Sequence, residues 1–364
     1  MNRPRHGGNL LWAADVAGCS PNSILDFSAS INPWGPPPSA IAAIQTHLGT
    51  LTSYPDPSYR SICQVLSKIH QLPSDWFLPG NGSAELLTWA CRDLAQLSET
   101  GLLTPAFADY QRALQAFQAQ LHPFALDLKA AWDLPLDDVL TLTLKRVSQS
   151  AISGLLLNSP HNPTGQLLNS QQVESLLDRF ELVVIDEAFM DFVSPDGSGS
   201  LIPKVQDFPN LVILRSLTKF YSLPGLRLGY AIGHPDRLRR WQQWRDPWSV
   251  NSLAIAAGIA VLQDQAFQDQ TWQWLSPARA QLWTGLKELG CYPWPSVANF
   301  LLVATDVFVP MLQEQLLKRH QILIRDCLSF PELGPHYFRV AVRTPADNQQ
   351  LLTALADCLP SLSA

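Results

Sequence analysis

The chain has 364 residues, 46 % hydrophobic and 15 % charged, with a formal net charge of −6. That composition is globular and long enough for two domains, and it excludes bulk disorder. The mildly acidic balance gives no electrostatic reason to expect nucleic acid or an anionic membrane as partner, and leaves open a local basic pocket for a small anion.

No apolar run approaches the length of a membrane span; the longest, near residues 253–262, is rich in Ala and Gly and reads as a packed helix. The first eight residues carry charge, but no apolar stretch of signal-peptide length follows them. The chain is therefore expected in the cytoplasm. Cys19, Cys63, Cys91, Cys291, Cys327 and Cys358 form no C-x-x-C pair and read as free thiols.

The first region is irregular. Residues 26–30 predict a short strand, and the proline-rich stretch 32–38 fits neither a regular helix nor a central strand. A helix is expected from Ser39 as N-cap to about His47. From Tyr54 to about Trp244, helices such as 170–180 alternate with short apolar strands at 155–157, 182–185 and 211–214. Each strand run is apolar on both faces, as a strand covered by helices on two sides must be. This predicts an α/β fold with a largely parallel sheet, whose polar residues gather at the carboxyl ends of the strands, where open α/β sheets bind ligands. Residues 235–262 read as helix broken near Pro247, leading to a second, smaller domain. Near the end, residues 337–343 alternate: Phe338, Val340 and Val342 face one way, and Tyr337, Arg339, Ala341 and Arg343 the other.

Lys219 follows a buried strand closely and is placed to project into the crevice. Partial desolvation there lowers an ammonium pKa, and the neutral amine can attack an aldehyde. Ser216 and Arg227 flank it as a hydroxyl and a guanidinium suited to a phosphate. Gly80-Asn81-Gly82-Ser83 enters a helix, so the motif is either an anion cradle at the helix N-terminus or an ordinary turn capped by Ser83. Asp186 ends a buried strand and needs a cationic or donor partner: a protonated pyridine nitrogen, a salt bridge, or a metal ion shared with Glu187 and Asp191. No histidine stands at ligand spacing, which ranks metal last. Asn162 precedes a proline, which holds its backbone extended and its amide free to enter the crevice or to close a plain turn.

Four motifs stand in a fixed order: Gly80-Asn81-Gly82-Ser83, Asn162-Pro163-Thr164-Gly165, Asp186-Glu187-Ala188-Phe189, and Ser216-Leu217-Thr218-Lys219 with Arg227. The set resembles the fold type I enzymes of pyridoxal 5′-phosphate (PLP), the aspartate-aminotransferase superfamily. The resemblance implies a large PLP-binding domain at 48–245, with helices on both faces of a mostly parallel sheet. It also implies a smaller α+β domain at 246–364, packed by an N-terminal segment at 1–47.

Two branches are similar to the chain, the threonine-phosphate decarboxylases and the histidinol-phosphate aminotransferases. His6-Gly7-Gly8-Asn9, Asp26 to Pro33, Ile324 to Cys327 and Tyr337 to Arg343 resemble the decarboxylases more. Phe189 stands where the aminotransferases usually carry a tyrosine. What the resemblance implies for the site is a Schiff base on Lys219 and a pyridine nitrogen on Asp186. It further implies a phenolate on Asn162, ring stacking on Phe107, and a phosphate held by Gly82, Ser83, Ser216 and Arg227. Tyr54 would reach the cofactor phosphate of a second copy in a homodimer. Arg339 and Arg325 would bind the anions of a small phosphorylated amino acid, and His6 and Asn32 would close over it. Arg343 is expected to be either a further substrate contact or a solvated surface charge.

Overall fold

The structure is a computed structural model that describes residues 3–128 and 135–362. In chain order the strands are β1 (Leu25–Asp26), β2 (Phe77–Asn81), β3 (Thr100–Thr104), β4 (Leu121–Ala125), β5 (Gly154–Asn158), β6 (Leu182–Asp186), β7 (Leu211–Ser216), β8 (Leu228–Gly233), β9 (Tyr292–Pro293), β10 (Phe300–Ala304), β11 (Ile322–Leu323), β12 (Arg325–Asp326) and β13 (Tyr337–Ala341). Seven of them make one sheet in the order β2-β8-β7-β6-β5-β3-β4. The expected both-face burial holds: residues 155–157, 182–185 and 211–214 are each at most 1 % exposed. Every pair in this sheet is parallel except β8 with its two neighbours.

That exception places the site. Strand β7 leaves the sheet at Ser216, and the chain returns as β8 at Leu228 in the opposite direction, so residues 217–227 make a loop at one sheet edge. Strand β2 is antiparallel to β8, with Asn81 opposite Leu228, so β2 also ends at that edge. Asn158 of β5 lies opposite Asp186 of β6. The carboxyl ends of β2, β5, β6 and β7 therefore open on one crevice.

A second sheet, β12-β13-β10-β9, is antiparallel throughout. The strand predicted at 337–343 is its β13, two residues shorter and buried on both faces beyond Tyr337, so its arginine face looks into the protein and not into solvent. The predicted strand at 26–30 shortens to β1, which pairs in parallel with β11. Residues 28–30 instead line the crevice.

The early helix starts one residue before its predicted cap, spanning Pro38–His47 behind Pro37, because a proline at the first turn gives up an N–H that has no helical partner anyway. The Ser39 hydroxyl, freed from capping, donates to Asp264 Oδ2 at 2.5 Å. The helix 170–180 ends early, at Leu177. The stretch after Pro235 is helical at Pro235–Trp244 and Ser252–Leu262, interrupted around Pro247. Helix Ser252–Leu262 packs against Pro38–His47, Arg60–His70 and β8. The 24-residue helix Gln265–Glu288 then ties the two sheets together. Its Trp272 indole donates to the Asp191 carbonyl at 2.8 Å, and its Trp274 indole to the Arg343 carbonyl at 3.1 Å. All six cysteines are unpaired. Among the described residues no helix is long and apolar enough to cross a membrane.

Candidate active site

The crevice is lined from both sheets and from the N-terminal segment. The structure brings together in it His6, Ser83, Phe107, Asn162, Asp186, Ser216, Lys219, Arg227, Arg325 and Arg339. At its floor, helix Ser83–Leu94 begins behind Gly82, with no side chain capping it. Its first N–H groups are therefore left for an anion. Gly82 holds φ +74°, and a Cβ there would lie 2.4 Å from Arg227 Nη2, so glycine lets the guanidinium lie against the helix entrance. The Ser216 hydroxyl lies 2.8 Å from that of Thr218. Ser222 (φ +52°) and Arg227 (φ +59°) keep left-handed backbone in the same loop, a strain the surroundings must hold in place.

Asp186 is buried, and burial pushes its carboxyl pKa up. The Tyr110 hydroxyl donates to its Oδ2 at 2.8 Å and the Ala188 N–H to its Oδ1 at 3.0 Å, and both bonds favour the charged form. Lys219 is brought down to about 8, first by desolvation and then by the positive charges of Arg339 and Arg227; Asp26 and Asp186 oppose the shift. A fraction of the amine is thus neutral near physiological pH. The metal alternative for Glu187 and Asp191 loses its ligands to Arg215, whose Nε lies 3.0 Å from Glu187 and whose Nη1 lies 2.5 Å from Asp191.

Arg339 is buried; its Nη1 donates to the Asn162 side-chain oxygen, and its guanidinium lies 4.8 Å from the centre of the Phe300 ring. Its Nε has no hydrogen-bond partner among the described residues. Since the Asn162 oxygen is taken, its amide N–H groups are what it can offer the crevice. Phe107 meets Tyr110 edge-on at 5.6 Å and His6 at the same separation. Phe189 packs edge-on against Phe300 at 5.0 Å and brings no hydroxyl.

Three expected residues lie elsewhere. Asn32 does not reach the crevice: its amide donates to the Phe220 carbonyl at 2.9 Å and to the Thr271 hydroxyl at 2.8 Å, and its backbone N–H to the Lys219 carbonyl at 3.0 Å. It braces the lysine loop, because a fully buried amide must spend its donors on nearby acceptors. Tyr54 lies exposed, outside the crevice of its own chain, stacked at 4.5 Å on Trp248. Arg343 is half-buried and outside the crevice: it donates to Asp347 and to the Asp26 carbonyl. Sequence reasoning missed Tyr110, Thr218, Ser28 and Arg5, which also line the crevice. A signal existed for Tyr110, which stands one helical turn after Phe107, and for Thr218 beside the lysine. Nothing in the spacing marks Ser28 or Arg5.

A PLP molecule fits this donor set. The buried carboxylate suits a pyridinium, the desolvated amine suits an aldehyde, and the uncapped helix with Ser216, Thr218 and Arg227 suits a phosphate. Fold and site together define a PLP-dependent enzyme of fold type I.

The family model "Aminotransferase class I and II" matches residues 22–355. The chain is 39 % identical to the threonine-phosphate decarboxylase of Salmonella typhimurium, over 98 % of this chain and 97 % of the relative. It is 33 % identical to the histidinol-phosphate aminotransferase of Symbiobacterium thermophilum, over 93 % and 91 %. It shares its fold with the PLP complex of the Sinorhizobium meliloti histidinol-phosphate aminotransferase, with TM-score 0.83 at 21 % identity over 98 % of this chain and 95 % of the other. The chain belongs to the class I and II aminotransferase family.

Proposed function

We propose that the protein decarboxylates L-threonine O-3-phosphate to (R)-1-amino-2-propanol O-2-phosphate as a step of cobalamin biosynthesis. The observation that carries this reading is the 39 % identity, along almost the whole of both chains, to a threonine-phosphate decarboxylase. Phe189, without a hydroxyl to offer the crevice, adds to it.

Bound PLP supplies an electron sink for the pair left behind when the substrate loses carbon dioxide. The chain's own residues do the rest. Lys219 holds the cofactor and then the proton that takes the place of the carboxylate on the α-carbon; its lowered pKa lets it gain and release that proton near neutral pH. Asp186, to which Tyr110 and the Ala188 N–H donate, would pair with the ring nitrogen. The Asn162 amide would donate to the ring oxygen, and Phe107 would cover the ring face. Gly82, Ser83, Ser216 and Arg227 would hold the cofactor phosphate, and Tyr54 would reach that of a second copy. The working form in this reading is a cytoplasmic homodimer, and the exposed Leu48, Leu51, Tyr54 and Trp248 supply apolar surface for the contact.

The second reading is transamination of a substrate of the histidinol-phosphate type, which the 33 % identity to such an enzyme favours. Incubation of the PLP-loaded protein with L-threonine O-3-phosphate separates the two. Carbon dioxide released without 2-oxoglutarate is the expected result. Glutamate formed from 2-oxoglutarate with histidinol phosphate, and no carbon dioxide, would reverse the assignment.

A further inference from the structure

We propose that Arg5 recognises the distal anion of the substrate, and that Arg325 acts as a positioning residue for the N-terminal strap that carries Arg5. The inference rests on reading the substrate as a phosphorylated amine.

The strap is fastened at both ends. Arg3 donates to Asp326 at 3.2 Å and to the Pro310 carbonyl at 2.8 Å. Arg325 donates to the Pro4 carbonyl at 3.3 Å, to the Arg5 carbonyl, and to Ser329 Oγ, just past β12, at 2.6 Å. At the other end Gly7 lies so close to Ser28 that a Cβ would come within 2.2 Å of its carbonyl oxygen. The Gly8 N–H donates to Ser28 Oγ at 2.7 Å. The backbone between these points is pinned, and the Arg5 and His6 side chains face the crevice.

Donor accounting then separates the cations. Arg325 gives Nη1 to the Pro4 carbonyl and Nη2 to the Arg5 carbonyl and Ser329, three of its five N–H groups. Arg339 is buried and gives Nη1 to Asn162. Arg227 gives Nη1 to the Pro224 carbonyl at 3.1 Å and lies against Gly82. The Arg5 side chain makes no hydrogen bond or ion pair with any described residue, and it is exposed at the mouth. It also lines an adjoining depression with Arg3 and Arg112. A guanidinium with its whole fork free matches the geometry of a phosphate monoester, whereas Arg339, deep and beside Asn162, is placed for an anion close to the reacting carbon. Two cations at different depths select a substrate with two separated anions.

The test is an Arg5→Gln variant of the PLP-loaded enzyme, titrated with L-threonine O-3-phosphate and with L-threonine while the cofactor's visible spectrum and the turnover are followed. Loss of a charge-assisted bond predicts a KM and an apparent Kd for the phosphorylated ligand raised roughly 10- to 100-fold. On this account kcat falls much less, the affinity for L-threonine moves little, and Arg5→Lys restores only part of the loss. Arg325→Gln should speed exchange of the Gly8 amide, which donates to Ser28 Oγ at the far end of the strap and which Arg5→Gln leaves slow. Equal binding of the phosphorylated ligand by wild type and Arg5→Gln overturns the Arg5 assignment and leaves the proposed function standing. Unchanged exchange in Arg325→Gln overturns the positioning role. A wild-type enzyme that binds no phosphorylated amine sinks both the inference and the reading beneath it.

Discussion

One wall of the crevice is made by residues 186–227 together with the entrance to helix Ser83–Leu94; the opposite wall is made by Arg5, Ser28, Arg325 and Arg339, from the two ends of the chain. On the first wall, strand pairing fixes where the strand-end side chains start: Asn158 opposite Asp186, Ser216 opposite Gly229. On the second, long side chains find backbone carbonyls across more than 300 residues of sequence, as Arg325 does with Pro4 and Arg5. The first wall is fixed by a buried sheet and offers few ways to move. The second hangs on side-chain bonds to a strap, and such bonds can be broken one at a time. Chemistry common to a whole family fits the first kind of wall, and choice of substrate fits the second.

Lys219→Ala tests the sheet wall with the largest expected effect. Turnover should fall by at least about 10³-fold, since proton transfer and the covalent hold on the cofactor are both lost. The visible absorbance of the lysine-bound cofactor should vanish on spectrophotometry. In the wild type, Lys219 is a cation below about pH 8 and a free amine above it. Uptake of PLP by the apoprotein, followed by stopped-flow absorbance, should therefore quicken as pH rises through that value. A rate flat from pH 6 to 10 would mean that another group forms the bond. Asp186→Ala comes next, with a loss on the order of 10²- to 10³-fold, the usual cost of removing a preorganised charge partner. Full activity in that variant would remove Asp186 from the ring nitrogen.

The contrast also explains what could be read from the sequence alone. The sheet wall was legible because its strand-end residues follow directly on an apolar run, as Asp186 follows Ile185, or close one, as Ser216 does at the end of β7, with Lys219 three residues further on. Parallel strands put such positions on one edge. The second wall was legible only in its residue types. Arg339 was placed on the right strand and on its polar face, but alternation reports two faces and does not say that both are covered. Asn32 sat in a motif that resembles a substrate contact, yet its amide had nearer acceptors at Phe220 and Thr271, and a buried donor takes the nearest acceptor. Arg5 carries no pattern at all; its placement depends on Gly7 meeting Ser28 and on Arg325 reaching the Pro4 and Arg5 carbonyls.

Asn32→Ala sharpens the comparison at lower amplitude. It strips the Phe220 carbonyl of a buried donor and should cost about 1–3 kcal/mol of stability in urea unfolding. The KM for substrate should change little, since Asn32 faces the lysine loop and not the crevice. A raised KM at unchanged stability would return Asn32 to the substrate and erase this difference between the walls.

Tyr110→Phe is the mildest change and the most specific. The Tyr110 hydroxyl bond lowers the Asp186 pKa against a burial effect that raises it, so its removal must shift that pKa upward. Activity that needs the carboxylate is then lost at higher pH on the acid side, while the alkaline side stays in place. The lost bond is one to a charged group, so the acid limb moves to higher pH, by less where the Ala188 N–H takes up part of the loss. Turnover at neutral pH should drop only a few-fold. The measurement is the pH dependence of kcat in the two proteins. Superimposed acid limbs would mean that the Ala188 N–H and the bound cofactor alone set the charge of Asp186, and that the sheet wall carries its own electrostatics without help from the helix Ala108–Ala116 beside it.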